Sequence, residues 1–410
     1  MGLTKTVCTG CSCLCDDIGI EREGQDIARI ENACVKGSSI IRAADDIPLR
    51  VPYLIGKREV TLEQAIDKTA GLLKNSKHPL IFGFDNSTLE AQAFAIELAR
   101  ALGGVIDDCS SFCHGELVLS ILNGTIPSCS LSEVKDAEMI MYWGANPYHS
   151  HPRHLSKFSY YAHEKYNPAG WSPDVTLVSI EVRDTETTFN SRPFFKILPG
   201  EDGKLISSIL ATMKGQGDRG DAKDIVDLIR QKGFCVIFVG LGLVYALDGD
   251  LSLFNEMVHM LSKETRISVM PMVGHFNMRG FNHRMFQQTG YINKVSFANG
   301  VSHGPEFSML EQVKNNDPDC ILIAGADPFT SLPSHMANNL KNVPIIALDP
   351  FITPTTQASA VVFGTAISGV ETWGTAMRMD GLEVPLVPAW ESGRLSDEQI
   401  LKLLLDEVTR

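Results

Sequence analysis

At 410 residues the chain exceeds what one hydrophobic core ordinarily supports, so two or three domains are expected. Its 44% hydrophobic and 21% charged composition is that of a globular protein, and a net charge of -13 argues against nucleic acid or an anionic membrane as its main partner. No apolar run approaches the roughly 18 residues a bilayer span requires, and the first residues lack a signal-type apolar core, so a cytoplasmic location is expected.

Ten cysteines in such a chain point to metal or redox chemistry more than to disulfides. Cys8, Cys11, Cys15 and Cys34 are spaced C-x2-C-x3-C-x18-C. Three closely spaced thiolates can grip one side of a cube while a distant fourth closes it, which is how a 4Fe–4S cluster is held. Zinc is the rival, although structural zinc more often uses two matched C-x2-C knuckles. On spacing alone Cys13 can replace Cys11 or Cys15. Lys36, two residues past Cys34, is placed to feel a cluster's negative charge and to bridge it to another anionic group.

From Thr61 onward the pattern alternates helix and strand. Thr61 caps an amphipathic helix, Pro79 to Phe84 reads as a buried strand, and a second helix runs from Asn86 to Leu102 before Gly103-Gly104. After a brief strand at Val105-Ile106 comes Ser111-Phe-Cys113-His114-Gly115, then a helix from Glu116. Cys113 thus stands at or just before a helix N-terminus, where free amides favour a thiolate. Cys235 and Cys320 each open an apolar strand and read as core.

An internal repeat organises the remainder. Asp136 to Pro147 aligns with Asp317 to Pro328, each a buried strand followed by Gly-Ala-Asn/Asp-Pro, namely Gly144, Asn146 and Pro147 against Gly325 and Asp327. Downstream, a strand ending in Glu181 matches one ending in Asp349, and Thr187-Thr188 matches Thr355-Thr356. Two related α/β lobes follow, with carboxylates at strand ends where nucleotide hydroxyls are commonly bound. Ser150, His151, Arg183, Thr185, Gly200 and Asp202 lie on loops suited to a large anionic ligand. Arg279, beside Gly280 after an apolar strand, can fork onto a carboxylate. Neither a Walker lysine motif nor a G-x-G-x-x-G fingerprint is present. Ser396 caps a terminal amphipathic helix.

Taken together, the Cys8-Cys11-Cys15-Cys34 loop, Cys34-Val-Lys36-Gly37, Gly144-Ala-Asn-Pro147 with Ser150-His-Pro152, Glu181-Val-Arg183-Asp-Thr185, Gly325-Ala-Asp-Pro328 and Glu371-Thr-Trp-Gly-Thr375 resemble the molybdenum and tungsten enzymes carrying two molybdopterin guanine dinucleotides. Within them, Cys11-Ser-Cys-Leu-Cys15-Asp-Asp17 and the Cys113-His114 segment resemble the B subunits of formylmethanofuran dehydrogenases. The resemblance implies two Rossmann-like lobes behind a small iron–sulfur domain, without the C-terminal β-barrel domain of larger relatives. The expected divisions are 1–55 for the cluster, 56–130 plus 306–365 for a lobe carrying Cys113, 131–305 for a pterin-binding lobe, and 366–410 packing back on the core.

It further implies reduction of carbon dioxide to formate at molybdenum or tungsten held by Cys113, with His114 handling a proton and Arg279 binding the anion. Lys36, Gly144, Asn146, Pro147, Ser150, His151, Glu181, Arg183, Thr185, Gly200, Asp202, Gly325, Asp327 and Asp349 would contact the pterin cofactors. Glu181 stands where many relatives have aspartate. Implied partners are a D-type subunit completing pterin binding, an amidohydrolase-type A subunit that condenses formate with methanofuran, a C-type subunit, and a ferredoxin or polyferredoxin donor. A subunit acting on free formate and a non-redox scaffold of a formyltransferase/hydrolase complex are the alternatives.

Overall fold

The computed structural model describes residues 3–24, 26–162, 175–216 and 220–410. The chain forms two compact units: residues 1–112, 275–378 and 383–410 in the first, and 113–274 with 379–382 in the second.

The first unit is built on a nine-stranded sheet. Its five central strands run parallel in the order Val105–Asp107, Pro79–Gly83, Cys320–Ala324, Ile345–Leu348, Val361–Phe363. Numbered along the chain this is 2-1-3-4-5, a doubly wound order whose direction reverses between Pro79–Gly83 and Cys320–Ala324. Short antiparallel strands close both edges. Consecutive strand residues serve opposite faces. Ile81, Leu322 and Ile346 pack with helices Leu62–Asn75, Leu89–Leu102 and Asp397–Thr409, while Leu80, Phe82, Ile321 and Ile323 pack with Met309, Val313 and Leu340. Burial on both faces explains the unbroken apolar runs in the sequence.

Ahead of this sheet, Thr4–Thr6, Ile18–Glu23 and Asp26–Glu31 make an antiparallel sheet followed by helix Val35–Asp45. Val7 and Leu14 share a small core with Phe276, Ala376, Val384 and Leu386.

The second unit holds five parallel strands in the order Phe194–Lys196, Thr176–Glu181, Met139–Trp143, Phe234–Val239, Arg266–Pro271. Along the chain this reads 3-2-1-4-5, the Rossmann order, reversing between Met139–Trp143 and Phe234–Val239. Its core joins Met139, Met141, Ile237 and Val269 to helices Asp202–Met213, Asp221–Arg230 and Ser252–Leu261.

These divisions differ from the expected ones at 130 and 305. Residues 275–305 lie in the first unit because Val295–Ser296 pairs with Val105–Asp107 and helix Met278–Thr289 buries Phe281 and Met285 there. Residues 113–130 lie in the second because Leu117 and Ile126 enter its core, so Cys113 opens that unit. No helix among the described residues is long and apolar enough to cross a membrane.

Candidate functional site

The cysteine loop of the first unit is closed by its own backbone. Cys8 N donates to Cys15 O (2.9 Å) and Leu14 N to Cys11 O (3.2 Å), a turn that places Leu14 at φ +43°. Cys8, Cys11, Cys13 and Cys15 are buried, and Cys34 is the half-buried cap of helix Val35–Asp45. A Cβ on Gly37 would stand 2.6 Å from Cys8 Sγ, so only glycine lets this helix approach the thiol. Cys11 is drawn down to about 7, chiefly by a hydrogen bond from Cys13 and, against the opposing effect of burial, with help from Lys36; Cys13 is pushed up by that same bond and by burial. Soft thiols, one of them close to ionisation, suit an iron–sulfur group. Cys13 acts here as a donor to Cys11.

Helix Gly115–Leu122 of the second unit starts one residue after His114, so Cys113 stands immediately ahead of its N-terminus, as the sequence indicates. Leu117 and Val118 anchor the helix in the core and fix the orientation of its first turn. Cys113 Sγ lies 3.0 Å from His114 Nδ1. The imidazole is 3% exposed, and burial presses its pKa down to about 4, partly countered by the Val239 carbonyl. Its Nε2 has no hydrogen bond of regular geometry. A neutral ring beside a thiol can accept and return a proton.

Arg279 occupies the first turn of helix Met278–Thr289 in the first unit and is buried, whereas the sequence alone suggested a loop after a strand. Arg284, half-buried on the same helix, joins it in depressing the imidazole of His283, for which burial is the larger cause.

The repeat is reproduced contact by contact. Gly144 and Gly325 follow their strands at φ +60° and +59°. Gly144 N donates to Ile180 O (2.9 Å) and Gly325 N to Leu348 O (3.0 Å). Thr187 Oγ1 donates to Asn146 Oδ1 (2.7 Å), as Thr355 Oγ1 does to Asp327 Oδ1. Capping boxes at Thr185/Thr188 and Thr353/Thr356 start the equivalent helices. Pro147 and Pro328 each occupy the first position of a short helix. At the second unit's reversal point, a Cβ on Gly240 would meet Gly144 O at 1.9 Å, so the glycine-rich strand end is required by close backbone approach.

Several expected ligand-contacting side chains are committed internally. His151 is buried, with Nε2 2.7 Å from Val273 O and Nδ1 2.8 Å from Ser150 Oγ. Asp202 accepts from Trp143 Nε1 (2.7 Å), and burial raises its carboxyl. Glu181 accepts from Val182 N (2.8 Å). Asp349 is pushed up to about 7, first by burial, and accepts from Phe351 N (2.8 Å). Gly200 takes φ +78° ahead of Asp202, Lys36 lies in the first turn after Cys34, and Arg183 is exposed.

Sequence reasoning missed a buried acidic network in the first unit. Asp107 is pushed up to about 7 by burial; Asp108 goes well above the carboxylate range through burial and then the charge of Asp85. Asn282 Nδ2 donates to Asp108 Oδ2 (3.2 Å) and Ser110 Oγ (2.8 Å), and Asn293 Nδ2 to Ser110 Oγ (2.7 Å). Asp107-Asp108 at a strand's carboxyl end was the available signal. Arg50 and Glu371 form a buried bidentate pair (2.9 and 2.7 Å) from positions far apart in sequence.

No family model matches the chain. It is 32% identical to the B subunit of tungsten-containing formylmethanofuran dehydrogenase 2 from Methanocaldococcus jannaschii, over 98% of each chain. The corresponding subunit from Methanococcus maripaludis is 28% identical, again over 98% of each. A chain of the formyltransferase/hydrolase complex from Methylorubrum extorquens, solved by X-ray crystallography with methylofuran, shares the fold with a TM-score of 0.72 at 18% identity, covering 87% of this chain and 98% of that one. Similarity at this level along nearly the full length of both chains, over a duplicated doubly wound architecture, means that the chain belongs to the B-subunit family of formylmethanofuran dehydrogenases.

Proposed function

We propose that this chain is the redox subunit of a formylmethanofuran dehydrogenase and reduces carbon dioxide to formate within a multisubunit complex. The observation that carries the reading is the Cys113–His114 contact of 3.0 Å at a helix start, in a chain whose relatives are named as tungsten-containing. Tungsten or molybdenum with two pterin dinucleotides would supply the two-electron chemistry there, and a 4Fe–4S cluster held by Cys8, Cys11, Cys15 and Cys34 would supply the electrons. The donor sets fit: a thiol beside a helix N-terminus for the metal, and four thiols on one closed loop and one helix cap for the cluster.

Forming formate from carbon dioxide takes two electrons and one proton. Burial keeps His114 neutral near pH 7, so the ring would take up that proton only in transit and pass it on. Arg279, buried on its helix, would neutralise the anionic carboxylate. Lys36 would lie between cluster and pterin. Gly144, Asn146, Pro147, Ser150, His151, Glu181, Arg183, Thr185, Gly200 and Asp202, with Gly325, Asp327 and Asp349, belong to the loops we assign to the pterin nucleotides. Because His151, Asp202, Asn146 and Asp327 are engaged internally, their part is to shape those loops. We further assign D-type, C-type and amidohydrolase-type A subunits and a ferredoxin-class electron donor as partners.

Metal analysis of the complex purified without oxygen tests the reading: iron together with tungsten or molybdenum is expected. The absence of all three from intact complex would favour the non-redox scaffold. Among cluster ligands, Cys15→Ser should abolish the iron–sulfur EPR signal while Cys13→Ser retains it; the reverse pattern would overturn the ligand assignment.

A further inference from the structure

Asp85, Cys109 and His275 come from three separate stretches of the first unit, yet one donor atom of each lies within 4.8 Å of the others. Asp85 leaves strand Pro79–Gly83 and Cys109 leaves strand Val105–Asp107, both at the carboxyl end of the sheet. Their positions are fixed by surrounding contacts. Cys109 N donates to Asp85 Oδ2 (3.1 Å), and Asn277 N, two residues beyond His275, donates to Asp85 O (2.9 Å). Gln92 Nε2 donates to both Phe84 O and Asn277 O at 2.9 Å, tying the same two stretches together.

Asp85 is 1% exposed, and its side chain shares a hydrogen bond with that of the neighbouring acid Asp108. A buried carboxylate with no positive partner is unfavourable. The adjacent acid brings no compensating positive charge, and the two oxygens of Asp108 already accept from Ser110 and Asn282.

We propose that Asp85, Cys109 and His275 bind one divalent cation of the zinc class. Carboxylate oxygen, thiolate sulfur and imidazole nitrogen form a borderline donor set that suits zinc, and three protein ligands leave a fourth position for water. On binding, the Cys109 S–H bond breaks, a sulfur–metal bond forms and one proton passes to solvent; no electrons move. The charge of the ion balances one carboxylate and one thiolate.

The test is zinc binding by the intact complex. Crystals soaked in zinc chloride should give an anomalous peak at the zinc edge within bonding distance of all three donors, and the peak should vanish in Cys109→Ser. In solution, Asp85→Asn, which keeps shape and the acceptor for the Cys109 amide, should weaken zinc binding by at least about tenfold. About one proton per zinc should be released, read from the buffer dependence of the binding heat. A folded wild-type crystal with no peak at these residues, or zinc affinity unchanged in both variants, would overturn the proposal. None of these readouts depends on carbon dioxide turnover, so they stand or fall independently of the functional reading.

Discussion

At Gly144 the backbone takes φ +60°, and a Cβ would stand 2.6 Å from the Leu243 amide nitrogen; at Gly325, with φ +59°, the nearest contact would be a side-chain carbon at 3.2 Å. Both substitutions to alanine incur the left-handed penalty of about 1–2 kcal/mol, but only Gly144→Ala adds a clash with backbone, worth a further ~1–3 kcal/mol. Denaturant midpoints should therefore fall more for Gly144→Ala than for Gly325→Ala; equal losses would contradict this account of the repeat. Asp349 gives a pH signature. Its folded pKa, about 7, lies above its unfolded value, so its contribution is present at low pH and lost as pH rises toward 7. Asp107, at about 7, and Asp397, at about 6, act in the same direction, while His114 opposes them below about pH 6.5. Asp349→Asn, whose side-chain oxygen still accepts from Phe351 N, should gain stability relative to wild type at pH 8 but not at pH 4.5. Urea titrations at the two pH values check this, and an identical shift at both would refute it.

Among the elements, those with local start signals were readable. Thr61 and Ser396 form capping boxes with Gln64 and Gln399, as their spacing suggests, and helix Asp397–Thr409 buries Ile400, Leu401 and Leu404. Ser396→Ala should lower stability by about 1 kcal/mol in thermal or chemical unfolding, and no loss would mean that the cap is not used. Helix Met278–Thr289 was not readable. Gly274, Asn277 and Gly280 suggest a polar loop, and the helix forms because Phe281 and Met285 bury in the first unit. Gly280 is itself required, since a Cβ there would press against Leu89 and Asn277. Tertiary packing overrides propensity here.

For the molecule as a whole, the duplicated Gly-Ala-Asn/Asp-Pro turns and paired threonines made the two doubly wound sheets legible, because each repeat keeps the same internal hydrogen bonds. The way the chain passes between units was not legible. The second unit is inserted between Phe112 and His275, and strand Val295–Ser296 joins the first unit's sheet by antiparallel pairing that leaves no periodic trace. The network of Asp85, Asp107, Asp108, Asn282 and Asn293 assembles from three distant segments, so neither its burial nor its shifted carboxyls could be read from spacing. The cysteine loop and Cys113-His114 were visible because adjacent residues carry their chemistry. Their role is tested most directly by replacing Cys113 with alanine in the assembled complex and measuring carbon dioxide reduction alongside the iron–sulfur EPR signal. The account predicts that turnover is abolished while the signal remains; turnover retained at the wild-type rate would contradict it.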